Sequence, residues 1–110
     1  MTIFSTPYFE KEAKALLKKY PSLADDLEIL FESLFDNPLQ GIPLGQDCFK
    51  IRFSIKSKGK GKSGGARIIT CVKITKEKIL LISVYDKSAK ASVSDKELKE
   101  LLNKIPKGLM

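Results

Sequence analysis

The first third of the chain has its hydrophobic residues at helical spacing. Residues Thr2 to Ser5 form a short strand-like segment, after which Thr6 as N-cap and Pro7 at the first helical position predict a helix. Pro21 ends this helix, and Ser22 is expected to cap a second one. The positions expected to face the core are Phe9, Ala13, Leu16, Leu17 and Tyr20 in the first helix, and Leu27, Leu30, Phe31, Leu34 and Phe35 in the second.

After a connection rich in proline and glycine, the periodicity changes to that of a strand. Phe49, Ile51, Phe53 and Ile55 alternate with Lys50, Arg52 and Ser54, which predicts a half-buried strand. Because side chains two residues apart share a face, Lys50 and Arg52 are expected to point away from the core.

Two further strands and a helix complete the chain. The pattern predicts strands at 66–74 and 78–85, and these form an antiparallel meander with the strand before them. Ser94 followed by Glu97 is a capping box that opens a last helix. The predicted order is one short strand, two helices, three strands and a helix, which indicates an α+β fold in one domain over residues 1–110.

The charged residues are unevenly distributed. Residues 50–90 contain twelve Lys or Arg and two acids, whereas the first 47 residues contain four lysines and eight acids, in a chain with a net charge of +7. Because the positive residues are interleaved with strand-like apolar ones, we expect them on a folded sheet and not on a tail. Such asymmetry indicates a polyanionic partner, and nucleic acid is the leading candidate.

The residue types that are missing exclude several kinds of site. The chain has no histidine and only two cysteines, Cys48 and Cys71, so neither zinc ligation nor imidazole catalysis has its usual residues. We expect two half-buried, reduced thiols and neither a metal nor a cofactor. No apolar run approaches the ~20 residues of a membrane span, and the N-terminus lacks the pattern of a secretory signal, so we expect a soluble, cytoplasmic protein without a membrane partner.

Strand parity brings cationic residues together on one sheet face. Inward positions are predicted to be Ile68, Val72 and Ile74 in the second strand of the meander and Leu80, Ile82 and Val84 in the third, with Leu81 and Ser83 pointing outward. The outward face would then carry Lys50, Arg52, Arg67, Tyr85 and Lys87. Such a surface could hold a phosphate and stabilise charge on it without a metal. Lysine and arginine also decorate exposed sheets for solubility alone.

The segment from Lys56 to Gly65 reads KSKGKGKSGG and is the one low-complexity stretch. Its lysines and glycines are not expected to pack, so it is predicted to be a mobile connection, either a cationic flap over phosphates or a solvated loop. The lysines expected to contact RNA are Lys56, Lys58, Lys60 and Lys62 in this segment, together with Lys73 and Lys90.

These segments resemble a known family. Residues 49–53 (FKIRF), 64–69 (GGARII) and 82–88 (ISVYDKS), in this order, resemble the RelE/HigB branch of the RelE/ParE toxin superfamily over nearly the whole chain. The KSGG at 62–65 and the VYDKS at 84–88 are most similar to HigB-type members. The resemblance implies the toxin of a type II toxin–antitoxin pair, an endoribonuclease that cuts mRNA in the ribosomal A site. It also implies a cognate antitoxin, and for HigB-type members one with a helix-turn-helix fold.

The resemblance also implies roles for single residues. Lys50, Arg52, Arg67 and Lys87 lie where the family places its basic site residues. In that chemistry a ribose 2′-OH attacks the adjacent phosphorus, which leaves a 2′,3′-cyclic phosphate and a 5′-OH. The two arginines suit charge stabilisation, and Lys50 or Lys87 could act as base or acid.

One family residue has no counterpart. The C-terminal tyrosine of RelE falls on residues 90–93, which contain no phenol. Tyr85 is predicted to lie on the same face and could replace it, or it is a packed aromatic at a strand end.

Two other functions fit parts of the sequence. A ParE-like toxin shares the fold and inhibits DNA gyrase, although it has less need of a cationic sheet face. A non-catalytic RNA-binding module would show salt-dependent binding without cleavage, but few exposed aromatic residues are available to stack on bases.

Overall fold

The computed structural model describes residues 1–59 and 61–110. Three helices and five strands follow the predicted order, with one additional strand, and this confirms the α+β class. The elements are β1 (Thr2–Ser5), α1 (Pro7–Lys19), α2 (Leu23–Asp36), β2 (Ile42–Gly45), β3 (Cys48–Phe53), β4 (Ala66–Lys73), β5 (Lys78–Asp86) and α3 (Asp95–Asn103), with 3-10 turns at Lys56–Lys58, Ile74–Lys76 and Lys107–Leu109. None of the helices in the described ranges is long and apolar enough to cross a membrane.

The five strands form one sheet in the order β1-β5-β4-β3-β2. The meander of β3, β4 and β5 is antiparallel as predicted, and β1 adds to β5 in parallel. The connection rich in proline and glycine contains the unpredicted strand β2, which pairs Ile42 with Lys50 and Pro43 with Phe49. A proline is tolerated there because β2 is an edge strand that leaves one side without partners.

Hydrophobic residues cover both faces of this sheet. On one face, α1 and α2 pack through residues such as Phe9 and Leu30 on the inward side chains of the strands. On the other face, α3 packs through Leu98 and Leu101 on a second cluster. That cluster includes both cysteines, which are fully buried and not half-buried as expected. The face predicted to be outward is therefore partly covered.

A β-bulge changes the parity of β5. Ile69 pairs with Ser83 but Thr70 pairs with Leu81, which leaves Ile82 as an extra residue. As a result Leu80 and Ile82 lie on the α3 side together with Tyr85, whereas Leu81 packs with Val84 against α1 and α2. The predicted inward placement of Leu80 and Ile82 is wrong, and so is the outward placement of Leu81, because a strict period of two does not continue through a bulge; Val84 lies inward as predicted.

Three positions that were expected to face the core lie near the ends of elements and are exposed. Ile74 lies in a turn after β4 and is 57% exposed. Phe35, near the end of α2, is exposed to the same extent. Leu17 is also exposed. Thr6 and the Ser94–Glu97 capping box cap their helices as predicted. Ser22 precedes α2 without a side-chain capping bond, because its hydroxyl donates to Asp26 and pairs with the Ser57 hydroxyl.

Candidate active site

Three side chains form a row across adjacent strands. Arg52 of β3 lies directly opposite Arg67 of β4, and Arg67 lies directly opposite Tyr85 of β5. The backbone bond from Val72 N–H to Asp47 O (2.9 Å) fixes the phase of the β3–β4 ladder, so Arg52 and Arg67 form a non-hydrogen-bonded pair, in which side chains approach most closely. The bulge lies beyond this row, so the parity prediction for Arg52, Arg67 and Tyr85 is confirmed.

Two lysines lie at opposite ends of the row. Lys50 is half-buried, shares a strand face with Arg52 and lies opposite Ile69. Lys87 is exposed just after β5, and its backbone N–H donates to the Gly65 carbonyl (3.2 Å). The structure therefore places all five predicted catalytic residues on, or at the margin of, one sheet face.

Arg67 is buried under the loop that precedes it. Its side chain is bonded to backbone carbonyls, with Nη1 donating to Lys62 O (3.0 Å) and Ala66 O (3.0 Å) and Nη2 donating to Ser63 O (3.4 Å). Burial, with the nearby charge of Arg52, lowers the pKa of Arg67, but a guanidinium remains charged in proteins. These three bonds leave two of its five N–H groups for an anion.

Tyr85 is a buried phenol rather than an exposed one. It is 6% exposed, and its hydroxyl has no hydrogen-bond partner among the described residues. The ammonium of Lys90 lies 5.6 Å from the ring centroid. Burial raises the pKa of Tyr85, so the phenol is protonated at neutral pH and could only donate a proton there.

We define the lysine loop as residues 54–59 and 61–65, between β3 and β4. The expectation that this segment does not pack is wrong for its described part. The Lys56 N–H donates to Asp26 (3.1 Å), the Ser57 N–H donates to the Ser22 hydroxyl (2.8 Å), and the Lys58 ammonium forms a salt bridge with Asp86 (2.5 Å).

The predicted RNA-contacting lysines differ in their surroundings. The side chains of Lys56 and Lys62 are exposed, whereas the ammonium groups of three others already contact carboxylates. Lys60 lies outside the described residues. The ion pairs are Lys58–Asp86, Lys73–Asp47 and Lys90–Glu97.

A cationic cleft adjoins the row at the end of β3, beyond the residues that pair with β2. It has a volume of about 300 Å³ and lies between α2, β3 and the lysine loop. Arg52, Lys56 and Lys62 contribute its positive charges, Asp26 contributes one carboxylate, and Ile29 and Leu30 contribute an apolar wall.

Sequence reasoning gave no role to Glu12, the carboxylate beside the site. It accepts hydrogen bonds from Ser83 Oγ (2.6 Å) and Val84 N–H (3.2 Å). A side chain of α1 thus provides an acceptor for a backbone N–H of β5 beyond the last residue that pairs with β1. Burial raises the pKa of Glu12, although both hydrogen bonds act in the opposite direction. Its position on α1 gave no signal, because a lone acid on a half-polar helix usually faces solvent.

Asp86, the second unpredicted carboxylate, is buried at the end of β5. Its oxygens accept from the hydroxyls of Tyr20 and Ser88, from Ser88 N–H and from the Lys58 ammonium. Burial alone would raise its pKa, but these hydrogen bonds outweigh that effect and hold the pKa of Asp86 well below its ordinary value. The sequence showed only an acid within a basic segment.

A comparison with family models identifies the fold and the general role. The model of the RelE toxin of the RelE/RelB toxin–antitoxin system matches residues 1–109. The chain belongs to the RelE toxin family. This confirms the resemblance at the level of a RelE-type toxin of a toxin–antitoxin system, and the HigB-type features stay a prediction.

A solved structure supports the same fold. A mutant of the E. coli toxin RelE in the free state superposes with a TM-score of 0.60, covers 99% of this chain and 97% of its own, and is 18% identical. At that identity the likeness shows the fold alone. No curated protein sequence matches this chain.

Proposed function

We propose that this RelE-family protein is a ribosome-dependent mRNA endoribonuclease that cleaves mRNA in the A site and inhibits translation. The observation that carries the proposal is the row of Arg52, Arg67 and Tyr85 across three adjacent strands, with Lys50 and Lys87 at its margins. A rigid sheet that presents cations at fixed spacing is suited to a transition state whose charge develops on phosphate oxygens.

The reaction that fits this row is an internal transfer on the RNA. The ribose 2′-oxygen attacks the adjacent phosphorus, the 2′-O–P bond forms and the P–O5′ bond breaks, which yields a 2′,3′-cyclic phosphate and a 5′-OH. A base accepts the proton of the 2′-OH and an acid donates one to the 5′-oxygen, so protons balance without a metal or cofactor. Arg52 and Arg67 stabilise the phosphorane, and Lys50 or Lys87 serves as base or acid.

Tyr85 fits the role of acid better than that of base. Its raised pKa keeps the phenol protonated, and its hydroxyl lacks a partner among the residues described. A buried donor without an acceptor is unfavourable, and an incoming phosphate oxygen would relieve that cost. This requires the segment after β5 to move away from the ring, because Tyr85 is 6% exposed.

The cleft beside Arg52 offers a path for the mRNA backbone. Lys56 and Lys62 line this cleft and have exposed side chains, so phosphates on one side of the cut could contact them. Lys58, Lys60, Lys73 and Lys90 were also predicted to contact RNA. Of these, Lys58, Lys73 and Lys90 would first have to leave their carboxylate partners.

The proposed function implies specific binding partners and a cellular location. The protein acts in the cytoplasm, where it meets the ribosome and mRNA. A cognate antitoxin, which we expect to have a helix-turn-helix fold, holds it inactive.

The proposal is tested by inducible expression in bacteria of the wild type, Arg52→Ala and Lys87→Ala, with growth and mapped mRNA 5′ ends as readouts. Lys14→Ala is the matched control, because it removes one exposed positive charge from α1, away from the row. We expect growth arrest and cuts within codons for the wild type and the control, and neither for the two site variants.

The outcomes separate the competing functions. Arrest with intact mRNA contradicts the nuclease and favours a ParE-like action on gyrase. No arrest, with salt-dependent RNA binding by the purified protein, favours a binding module.

A further inference from the structure

Asp86 connects three segments that lie far apart in sequence. Tyr20 follows α1 as its C-cap residue, Lys58 lies in the lysine loop, and Ser88 lies in the turn after β5. All three donate to the same carboxylate, which is 3% exposed. A buried carboxylate with this many donors is a fixed junction, because releasing a donor costs a hydrogen bond to a buried charge, and releasing Lys58 also removes the opposite charge.

The junction lies behind the row and not on it. Asp86 is two residues beyond Val84, whose side chain packs under α1 and α2, and it is bonded to Tyr20 on that side. Tyr85 points to the opposite face. Asp86 therefore has no direct route to a phosphate held by Arg52 and Arg67, and any effect on catalysis acts through other residues.

Two chains of contacts lead from Asp86 to the row. The first runs through Lys58 into the lysine loop, whose carbonyls at Lys62 and Ser63 hold the Arg67 guanidinium. The second runs through Ser88, whose N–H and hydroxyl donate to Asp86. Lys87 lies between these two residues in the chain, so the junction fixes the backbone on both sides of it.

A tight backbone contact holds the two chains of contacts together. The Lys87 N–H donates to Gly65 O, and Asp86 pairs with Ala66 in the ladder. A Cβ on Gly65 would lie 2.3 Å from Phe53 O, so the end of the loop packs closely against the end of β3.

We propose that Asp86 is a positioning residue, which anchors the lysine loop and the exit of β5 so that Arg67 and Lys87 stand in the geometry that cleavage requires. This inference rests on the proposed function. A displacement of about 1 Å in such groups can lower a rate by about 100-fold. Lys58, predicted to contact RNA, acts here inside the protein.

The test compares variants of the full-length protein in single-turnover cleavage on ribosomes that carry mRNA in the A site. Asp86→Asn keeps the shape but removes the charge, Lys58→Met removes the donor, and Lys58→Arg keeps a cation. Lys56→Met is the matched control, since it removes an exposed cation from the same loop.

We expect Asp86→Asn and Lys58→Met to lower the rate at saturation by about tenfold or more with little change in the half-saturating concentration. Lys56→Met is expected to raise the half-saturating concentration instead. The double variant that combines Asp86→Asn with Lys58→Met should be no slower than the slower of the two single variants, because both substitutions break the same ion pair. Lys58→Arg should retain most of the wild-type rate.

A second readout keeps the inference independent of the cleavage assay. Hydrogen exchange should be faster in Asp86→Asn at the described loop amides and at Lys87, and unchanged in the middle of α2. A folded Asp86→Asn variant with the wild-type saturating rate overturns the inference. If the wild type cuts no mRNA, the proposed function fails, and exchange alone then decides: faster exchange supports the anchor and unchanged exchange overturns it.

Discussion

The two positive charges of Arg52 and Arg67 in the row are expected to lower the stability of the folded protein. Arg52 and Arg67 are directly opposite in a non-hydrogen-bonded pair, and each carries a positive charge. Side chains in such pairs have Cβ atoms about 4.5–5.5 Å apart, and like charges there are unfavourable by up to ~1 kcal/mol. We therefore expect Arg52→Gln to be more stable than the wild type and to cleave no mRNA.

The magnitude follows from the geometry. Two unit charges about 6 Å apart repel by about 0.7 kcal/mol in water and by about four times that at the lower effective dielectric of a protein surface. Because Arg52 is exposed, solvent and salt reduce this repulsion energy, and we expect Arg52→Gln to raise the free energy of unfolding by about 0.5 kcal/mol. For a domain of this size that gain raises Tm by roughly 2 °C.

The assay is urea and thermal unfolding followed by circular dichroism at low and high salt. Lys14→Gln is the control, because it removes the same charge from an exposed site on α1 and so reports the effect of net charge alone. The gain of Arg52→Gln over this control should shrink at about 1 M salt, where the screening length is about 3 Å. A variant that is less stable than the control at low salt, or a gain that salt does not reduce, would refute the reasoning.

Three further predictions concern stability. The pKa of Asp86 is lowered in the folded protein, so the unfolded chain binds more protons than the folded one as the pH falls towards and below the ordinary value of 3.8. The free energy of unfolding should therefore fall more steeply with decreasing pH for the wild type than for Asp86→Asn, as measured by urea midpoints from pH 6 to pH 2. Tyr85→Phe removes a buried hydroxyl that has no partner among the described residues, so its urea midpoint should equal or exceed that of the wild type. Gly65→Ala should lower the unfolding free energy by about 2 kcal/mol or more, because the new Cβ would meet the Phe53 carbonyl, and an unchanged midpoint would contradict this contact.

The order of elements was predictable because local signals agree with the fold. Thr6 and the Ser94–Glu97 box mark helix starts by their own hydrogen bonds, Pro7 marks one by its fixed φ and missing N–H, and the alternation at 49–53 needs no distant partner. The strand β2 was missed because its pairing depends on β3 and not on its own composition, which is rich in proline and glycine.

The site row could be predicted for the same reason, and its surroundings could not. Parity places Arg52, Arg67 and Tyr85 on one face because each lies on the near side of the bulge. Whether a cation is free depends on contacts between segments far apart in sequence, such as Lys58 with Asp86, 28 residues away. Nothing local distinguishes Lys58 from Lys56, although Lys58 forms an ion pair with the buried Asp86 and Lys56 is exposed.

The most direct test of the central claim is cleavage in a purified system. The wild-type protein is added to ribosomes programmed with an mRNA codon in the A site, and the product termini are analysed by mass spectrometry. We predict cutting within that codon, a 2′,3′-cyclic phosphate and a 5′-OH at the new ends, no cutting of the same mRNA without ribosomes, and loss of cutting in Arg52→Ala. Intact mRNA on the ribosome, with the folded wild-type protein in excess, would contradict the account.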